Sequence, residues 1–281
     1  MESPAPEENL AASARGTRHV ALSTRQWHSA LGTWHSARGT WPVALDPLRL
    51  LHNDSMKRQQ RFADLPVRIE QREITVDGRS CTYGMLVPKA SADAAGYPLV
   101  VGLHYSSPTP GLSPYFGLGF VGQLILPALQ ELNAILVAPD APDATWTSEV
   151  SERLVLAVLA EVKKEFSADA RRVLVAGFSM GGTGAWFLAA KHPELFRAAV
   201  IVAAPPPASD TKPGVPVYVI HSRQDDVAPF AATEAAVRTL EQQGVKVTFA
   251  PVGGLTHRDA SSYADALHAA IPWIRQIWQE K

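Results

Sequence analysis

The chain has 281 residues, 46% of them hydrophobic and 19% charged, and its 26 Lys plus Arg nearly balance 27 Asp plus Glu, for a formal net charge of −1. That composition excludes a wholly disordered or collagen-like chain and a strongly basic nucleic-acid binder. The one cysteine, Cys81, excludes an intrachain disulfide and a cysteine zinc cluster.

Residues 1–60 differ in character from the rest. From Asn9 to Leu45 there are four arginines and no acid, and three of the seven tryptophans fall there. A unit of seven residues repeats, Trp27 to Thr33 and then Trp34 to Thr40, followed by Trp41. Each unit carries a glycine and lacks a continuous apolar seam, so neither a coiled coil nor a solenoid follows. The expectation is a disordered, low-complexity leader over 1–60 and a single catalytic domain over 61–281, with Met56 as a candidate alternative start. The opening MESPAPEENL has early acids and no apolar h-region, and no window is long and apolar enough to span a bilayer. A soluble, cytoplasmic protein without a membrane span is therefore expected, and its oligomeric state is not legible.

From Val67 strands and helices alternate. Val67 to Val76 and Arg79 to Val87, joined by Asp77-Gly78, predict a hairpin with a tight turn. Nearly continuous apolar runs at Pro98–His104, Ala134–Ala138, Arg172–Ala176, Ala198–Ala203, Val215–Ile220 and Val245–Ala250 have the character of strands buried on both faces. Helical spacing falls between and after them, at Phe120–Leu132, Ser151–Phe166, Gly182–Lys191, Phe230–Gln243 and Ser261–Trp278. Repeated strand–helix–strand units imply an α/β fold, a mostly parallel sheet with helices on both faces. Ligands in such sheets sit beyond the carboxyl ends of the strands.

The residues just after those strands carry the chemistry. Gly177-Phe178-Ser179-Met180-Gly181 fits G-x-S-x-G between a strand and a helix, the setting of a nucleophile elbow. Glycine is needed two positions either side because any side chain there would strike the neighbouring strand or helix. A serine hydroxyl needs a base oriented by a carboxylate, and the chain order in this architecture is Ser, acid, His. Asp225 and Asp226 follow the strand ending at Ile220, and His257 follows the last strand. Of nine histidines, His19, His28, His35 and His52 lie in the leader and His192 and His268 fall on helices, expected to face solvent. His104 and His221 end strands and are expected to be structural.

These stretches resemble the α/β-hydrolase superfamily, specifically its carboxylesterase, phospholipase and prolyl-oligopeptidase-like serine hydrolases. The resemblance rests on Gly177 to Gly182 with Lys191-His-Pro-Glu-Leu-Phe196, on His221 to Pro229 and on Gly253 to His257, and it covers Val67 to Trp278. It implies the catalytic triad Ser179, Asp225 and His257, with the acid four residues after the strand-end histidine. Two positions depart from the group: Ser222 follows His221, and Tyr105 follows His104, where glycine is usual or frequent. The resemblance further implies an oxyanion hole from the backbone N–H of Met180 and one from the loop after His104, at Tyr105 or Ser106. Lining the pocket and lending its hydroxyl to the oxyanion are the alternative roles for Tyr105.

The implied reaction is acyl transfer through an acyl-enzyme on Ser179, followed by water, with no metal or organic cofactor required and a rate that rises as His257 loses its proton. Only about a dozen residues separate the runs ending at Ala203 and beginning at Val215, which leaves no room for a large cap domain. An open site is expected, taking a small-molecule ester of short or medium acyl chain. Tyr105, Ser106, Tyr115, Phe116 and Trp146 are the candidate pocket walls. Thioesterase, lysophospholipase and peptidase chemistry share the triad, and a non-catalytic ligand-binding homologue is the alternative from another class.

Overall fold

The computed structural model describes residues 66–107, 112–208 and 211–280. The leader expected over 1–60 and the Met56 start lie outside the described residues.

Among the described residues, eight strands form one sheet in the order β1-β2-β4-β3-β5-β6-β7-β8. They are β1 Val67–Val76, β2 Arg79–Pro88, β3 Tyr97–Leu103, β4 Ile135–Pro139, β5 Ala168–Phe178, β6 Ala198–Val202, β7 Val217–Ser222 and β8 Val247–Val252. β1 and β2 are an antiparallel hairpin, β2 lies antiparallel to β4, and every pairing from β4 to β8 is parallel. The hairpin turns at Asp77 and Gly78 with φ of 50° and 76°. Both values are positive, as a turn that matches the twist of the flanking strands requires.

The apolar runs are nearly continuous because both faces are covered. Leu99, Val101 and Leu103 of β3 pack on one side with Leu154 and Val158 of α3 (Glu149–Glu165) and with Trp186 of α4 (Met180–Lys191). Val100 faces the other way, toward Leu124, Leu129 and the C-terminal Ile274. Helix α5 (Phe230–Gln242) adds Val237 and Leu240 to the first layer. Helix α3 starts where its sequence says it should: Ser148 Oγ accepts the Ser151 N–H at 3.3 Å, with Glu149 and Glu152 in the first turn and Lys163 and Lys164 in the last. The acids and bases oppose the helix dipole at the appropriate ends.

Two expected helices are not regular. The first begins earlier, as α1 Phe116–Phe120, passes through a π turn at Val121–Ile125, and continues as α2 Leu126–Leu129 and a 3-10 turn, Gln130–Leu132. Pro127 has no N–H for the carbonyl four residues back, and Leu126 N–H bonds instead to Val121 O, five back. The expected Ser261–Trp278 helix is divided into a 3-10 turn at Ala260–Tyr263, α6 Ala264–His268 and α7 Ile271–Gln279. Pro272 is the cause: it is tolerated only within the first turn of a new helix. The connection from Val202 to Val217 is too short to carry a large cap.

A charged cluster fastens the hairpin to the first helical layer. Arg72 of β1 has a side chain only 1% exposed and ion pairs with Glu70, Glu165 and, at 3.7 Å, Glu161. Tyr83 donates to Glu161 at 2.7 Å. Removing the arginine would leave these carboxylates crowded against one another in a half-buried site. Arg72→Met is therefore expected to lower the unfolding free energy by about 2 to 4 kcal/mol, read from the urea midpoint. A loss too small to measure would show that the carboxylates simply rehydrate.

Candidate active site

Ser179 sits between β5 and α4 with φ 55° and ψ −121°, outside the regions that L-residues favour. Neighbouring chain holds it there. Its N–H donates to Val202 O at 3.0 Å, and Thr183 N–H returns to Ser179 O at 3.0 Å. The glycines expected at the elbow are required by space: a Cβ on Gly177 would lie 2.1 Å from Gly181 O, and one on Gly181 would lie 1.8 Å from Leu103 O.

The three residues expected to form the triad come together from separate strand ends. Ser179 Oγ is 2.7 Å from His257 Nε2, and His257 Nδ1 is 2.8 Å from Asp225 Oδ2. The carboxylate can only accept from Nδ1, which leaves Nε2 unprotonated and able to take the serine proton. Asp225 is fully enclosed, and its other oxygen accepts the N–H groups of Val227 at 3.0 Å and Ala228 at 2.7 Å. Asp226 does different work: it accepts the His257 backbone N–H at 3.2 Å and the Arg258 guanidinium at 2.9 Å on the surface. The imidazole of His257 lies against Phe178, centroids 5.1 Å apart.

The other histidines among the described residues have surroundings of their own, while His19, His28, His35 and His52 lie outside the described residues. His221 is fully buried, its Nε2 shared between Ala228 O at 2.9 Å and Asp225 Oδ2 at 3.2 Å, while Nδ1 has no partner among the described residues. Ser222, standing where glycine is usual, is buried and accepts the Gln224 N–H at 3.2 Å. His268 is exposed and bonds Glu131. His192 departs from expectation. It ends α4 against α3, half-buried, with Nε2 2.7 Å from Glu152, which also pairs with Lys191. The His192 ring is packed on the neighbouring helix and does not face solvent.

The loop after β3 adjoins the elbow, as Leu103 O near Gly181 shows. Ser106 is exposed, and Tyr105, Tyr115 and Phe116 are half-buried. The Tyr105 ring meets Phe116, Phe120 and Phe178 edge-on, at 5.5, 5.8 and 6.1 Å. Trp146, expected as a wall, is only 1% exposed and supports the loop from behind, because its indole N–H is taken up by His104 O at 2.8 Å.

Asp140 was not singled out by sequence, and nothing in its apolar strand-end context marks it. It is 6% exposed and accepts from Thr82 Oγ1 at 2.6 Å, from Gly117 N–H at 2.7 Å and from Tyr115 N–H. It thereby holds the turn at Tyr115, whose φ is 66°. Burial pushes its carboxyl up to about 6 against these hydrogen bonds, and burial pushes the neighbouring His104 down to about 4. Among the described residues no group of three His, Cys, Asp or Glu side chains is placed to hold a metal ion.

Those two shifts oppose each other in stability. Between pH about 4 and about 6 the folded chain keeps a proton on Asp140 that the unfolded chain has lost, so this residue's contribution falls as pH rises. His104 acts with the opposite sign, its contribution growing from about 4 toward 6.5. Asp140→Asn removes the first effect alone. The variant, destabilised by the lost acceptor, should approach wild type by on the order of 2 kcal/mol as pH rises across that window, measured by urea unfolding at each pH. A gap that stays constant would mean the carboxyl is ionised throughout.

Comparison with known proteins agrees with this architecture. Residues 131–273 match the Dienelactone hydrolase family. A curated relative from Nocardia uniformis subsp. tsuyamanensis, named "Putative esterase NocK", is 29% identical over 175 residues, 59% of this chain and 51% of its own, so the chain spans about half the length of that relative. Among solved structures, a thermostable esterase superposes with a TM-score of 0.61 at 23% identity, covering 75% of this chain and 63% of the other. FphF, a fluorophosphonate-binding serine hydrolase of Staphylococcus aureus, gives 0.61 at 15% identity, with 74% and 98% covered. An acylaminoacyl peptidase of Pyrococcus horikoshii gives 0.62 at 13%, with 80% and 44% covered. Among the described residues no helix is long and apolar enough to cross a membrane. The strand order and the extent of the family match lead to one conclusion: the chain belongs to the dienelactone hydrolase family, within the α/β-hydrolase superfamily.

Proposed function

We propose that this chain is a serine hydrolase that cleaves small-molecule carboxylic esters of short or medium acyl chain. The observation that carries the reading is the unbroken hydrogen-bonded line from Ser179 Oγ through His257 to the enclosed Asp225 carboxylate. Family membership and relatives named as esterases support hydrolase chemistry.

In the proposed reaction Ser179 Oγ attacks the ester carbonyl as its proton passes to His257 Nε2. Asp225 stabilises the imidazolium without taking the proton itself. The oxyanion lies against the N–H of Met180, at the start of α4, and that of Tyr105. His257 then gives the proton to the leaving alkoxide, and water repeats the sequence on the acyl-enzyme. The connection between β6 and β7 is too short to carry a large cap, which favours small substrates over long acyl chains that need shelter.

Hydrolysis of a 4-nitrophenyl ester series from acetate to palmitate should be fastest on the shorter chains, and Ser179→Ala should reduce it by about 10⁴-fold or more. Serine-independent hydrolysis would sink the proposal. The neighbouring acids should separate. Asp225→Asn is expected to lower kcat by about 10³- to 10⁴-fold through the wrong imidazole tautomer. Asp226→Asn, which loses an exposed ion pair to Arg258 and keeps an amide oxygen for the His257 backbone N–H, should change kcat by less than about tenfold. Equal effects would reassign the acid.

A further inference from the structure

The second oxyanion donor comes from a loop whose peptide planes are held by buried groups outside the triad. Trp146 Nε1–H donates to His104 O at 2.8 Å. His104 is fully buried, and Ala141 N–H donates to its Nε2 at 3.0 Å. A backbone N–H can only donate, so Nε2 is the acceptor nitrogen and the ring proton resides on Nδ1. Nδ1 is 2.6 Å from Tyr105 O and donates to it.

These bonds hold two successive peptide groups. The peptides are trans, so the C=O and the N–H of one unit point in opposite directions. Fixing His104 O on the indole therefore directs the Tyr105 N–H away from Trp146. Fixing Tyr105 O on the imidazole likewise directs the Ser106 N–H. The N–H groups of Tyr105 and Ser106 are thus set by two buried side chains, Trp146 and His104.

The placement is tight. A Cβ on Gly184 of α4 would lie 2.4 Å from Trp146 Cβ, so the indole is clamped between that helix and the loop. His104 is also held edge-on by Trp146 and Phe116, each with ring centroids 5.0 Å away. The loop borders the triad through the rings of Tyr105, Phe178 and His257.

We propose that Trp146 is a positioning residue: its indole N–H, acting with the neutral Nδ1–H tautomer of His104, orients the loop peptide that receives the developing oxyanion. This rests on the serine hydrolase reading above. An oriented peptide dipole matters most when negative charge has developed on the substrate oxygen, so losing the orientation should lower kcat and leave KM nearly unchanged.

The test uses the full chain, 4-nitrophenyl acetate and an alkyl trifluoromethyl ketone. The ketone accepts Ser179 Oγ at its carbonyl carbon while the serine proton passes to His257, leaving a hemiketal oxyanion. Trp146→Phe keeps a ring but removes the N–H. It is expected to lower kcat by about 10- to 100-fold, with KM within about twofold, and to weaken the ketone by the same factor as kcat. A second protein with 3-benzothienylalanine at position 146 keeps the indole's shape and replaces N–H by sulfur. It covers the case in which the phenylalanine variant does not fold, and should show the same loss. Unchanged kcat and ketone affinity in the folded isostere, beside Ser179-dependent hydrolysis in wild type, would overturn this inference alone. Absence of Ser179-dependent hydrolysis in wild type overturns the serine hydrolase reading and this inference with it. A rise in KM with kcat unchanged would place Trp146 in substrate binding and also overturn it.

Discussion

The close approach of Gly181 to the Leu103 carbonyl is the constraint on which the site depends. No side chain fits between them, since a Cβ would lie 1.8 Å from that oxygen. The first turn of α4 can therefore lie directly on the end of β3. That contact brings together two chain segments far apart in sequence, the elbow and the loop after β3. Ser179 is left at a positive φ that only surrounding structure can maintain. Its neighbours supply this through the Val202 carbonyl and the helix that starts beneath it.

Around that contact the fold buries polar groups and satisfies almost every one. Asp225 has backbone N–H groups on one oxygen and two imidazoles on the other. Asp140 ties the Tyr115 turn to the end of β4, and the next residue, Ala141, uses its N–H to set the tautomer of His104. Leaving any of these groups unpaired at such burial would cost on the order of 1 to 3 kcal/mol, so each of them has few alternative partners. Rigidity of the site follows from hydrogen-bond accounting as much as from apolar packing.

How much of this was legible in the sequence can be judged residue by residue. The buried strands announce themselves as apolar runs because helices cover both faces, and the hairpin turn announces itself as Asp77-Gly78. The elbow was legible because its steric demand is met by glycine within a few residues of the serine. Helix boundaries were less so: Pro127 and Pro272 interrupt apolar periodicity without erasing it, and the pattern alone shows one helix where the backbone has several pieces. Arg72 was invisible as a core residue. A charged side chain in a strand is read as solvent-facing unless its carboxylate partners are known, and Glu161 and Glu165 lie almost a hundred positions away. Trp146 and His192 were misplaced for the same reason, since burial by a distant segment leaves no local mark.

What the sequence by itself determined was therefore whatever depends on local sterics and period: the strands, the nucleophile turn, and the order of serine, acid and histidine along the chain. The tertiary structure decided which of two adjacent aspartates meets His257, which tautomer His104 adopts, and that Trp146 lies beneath the loop and not in the cleft. The physical reason is that these outcomes are choices among hydrogen-bond partners. Such partners are brought within 3 Å of each other only when strand ends distant in sequence converge on one edge of the sheet.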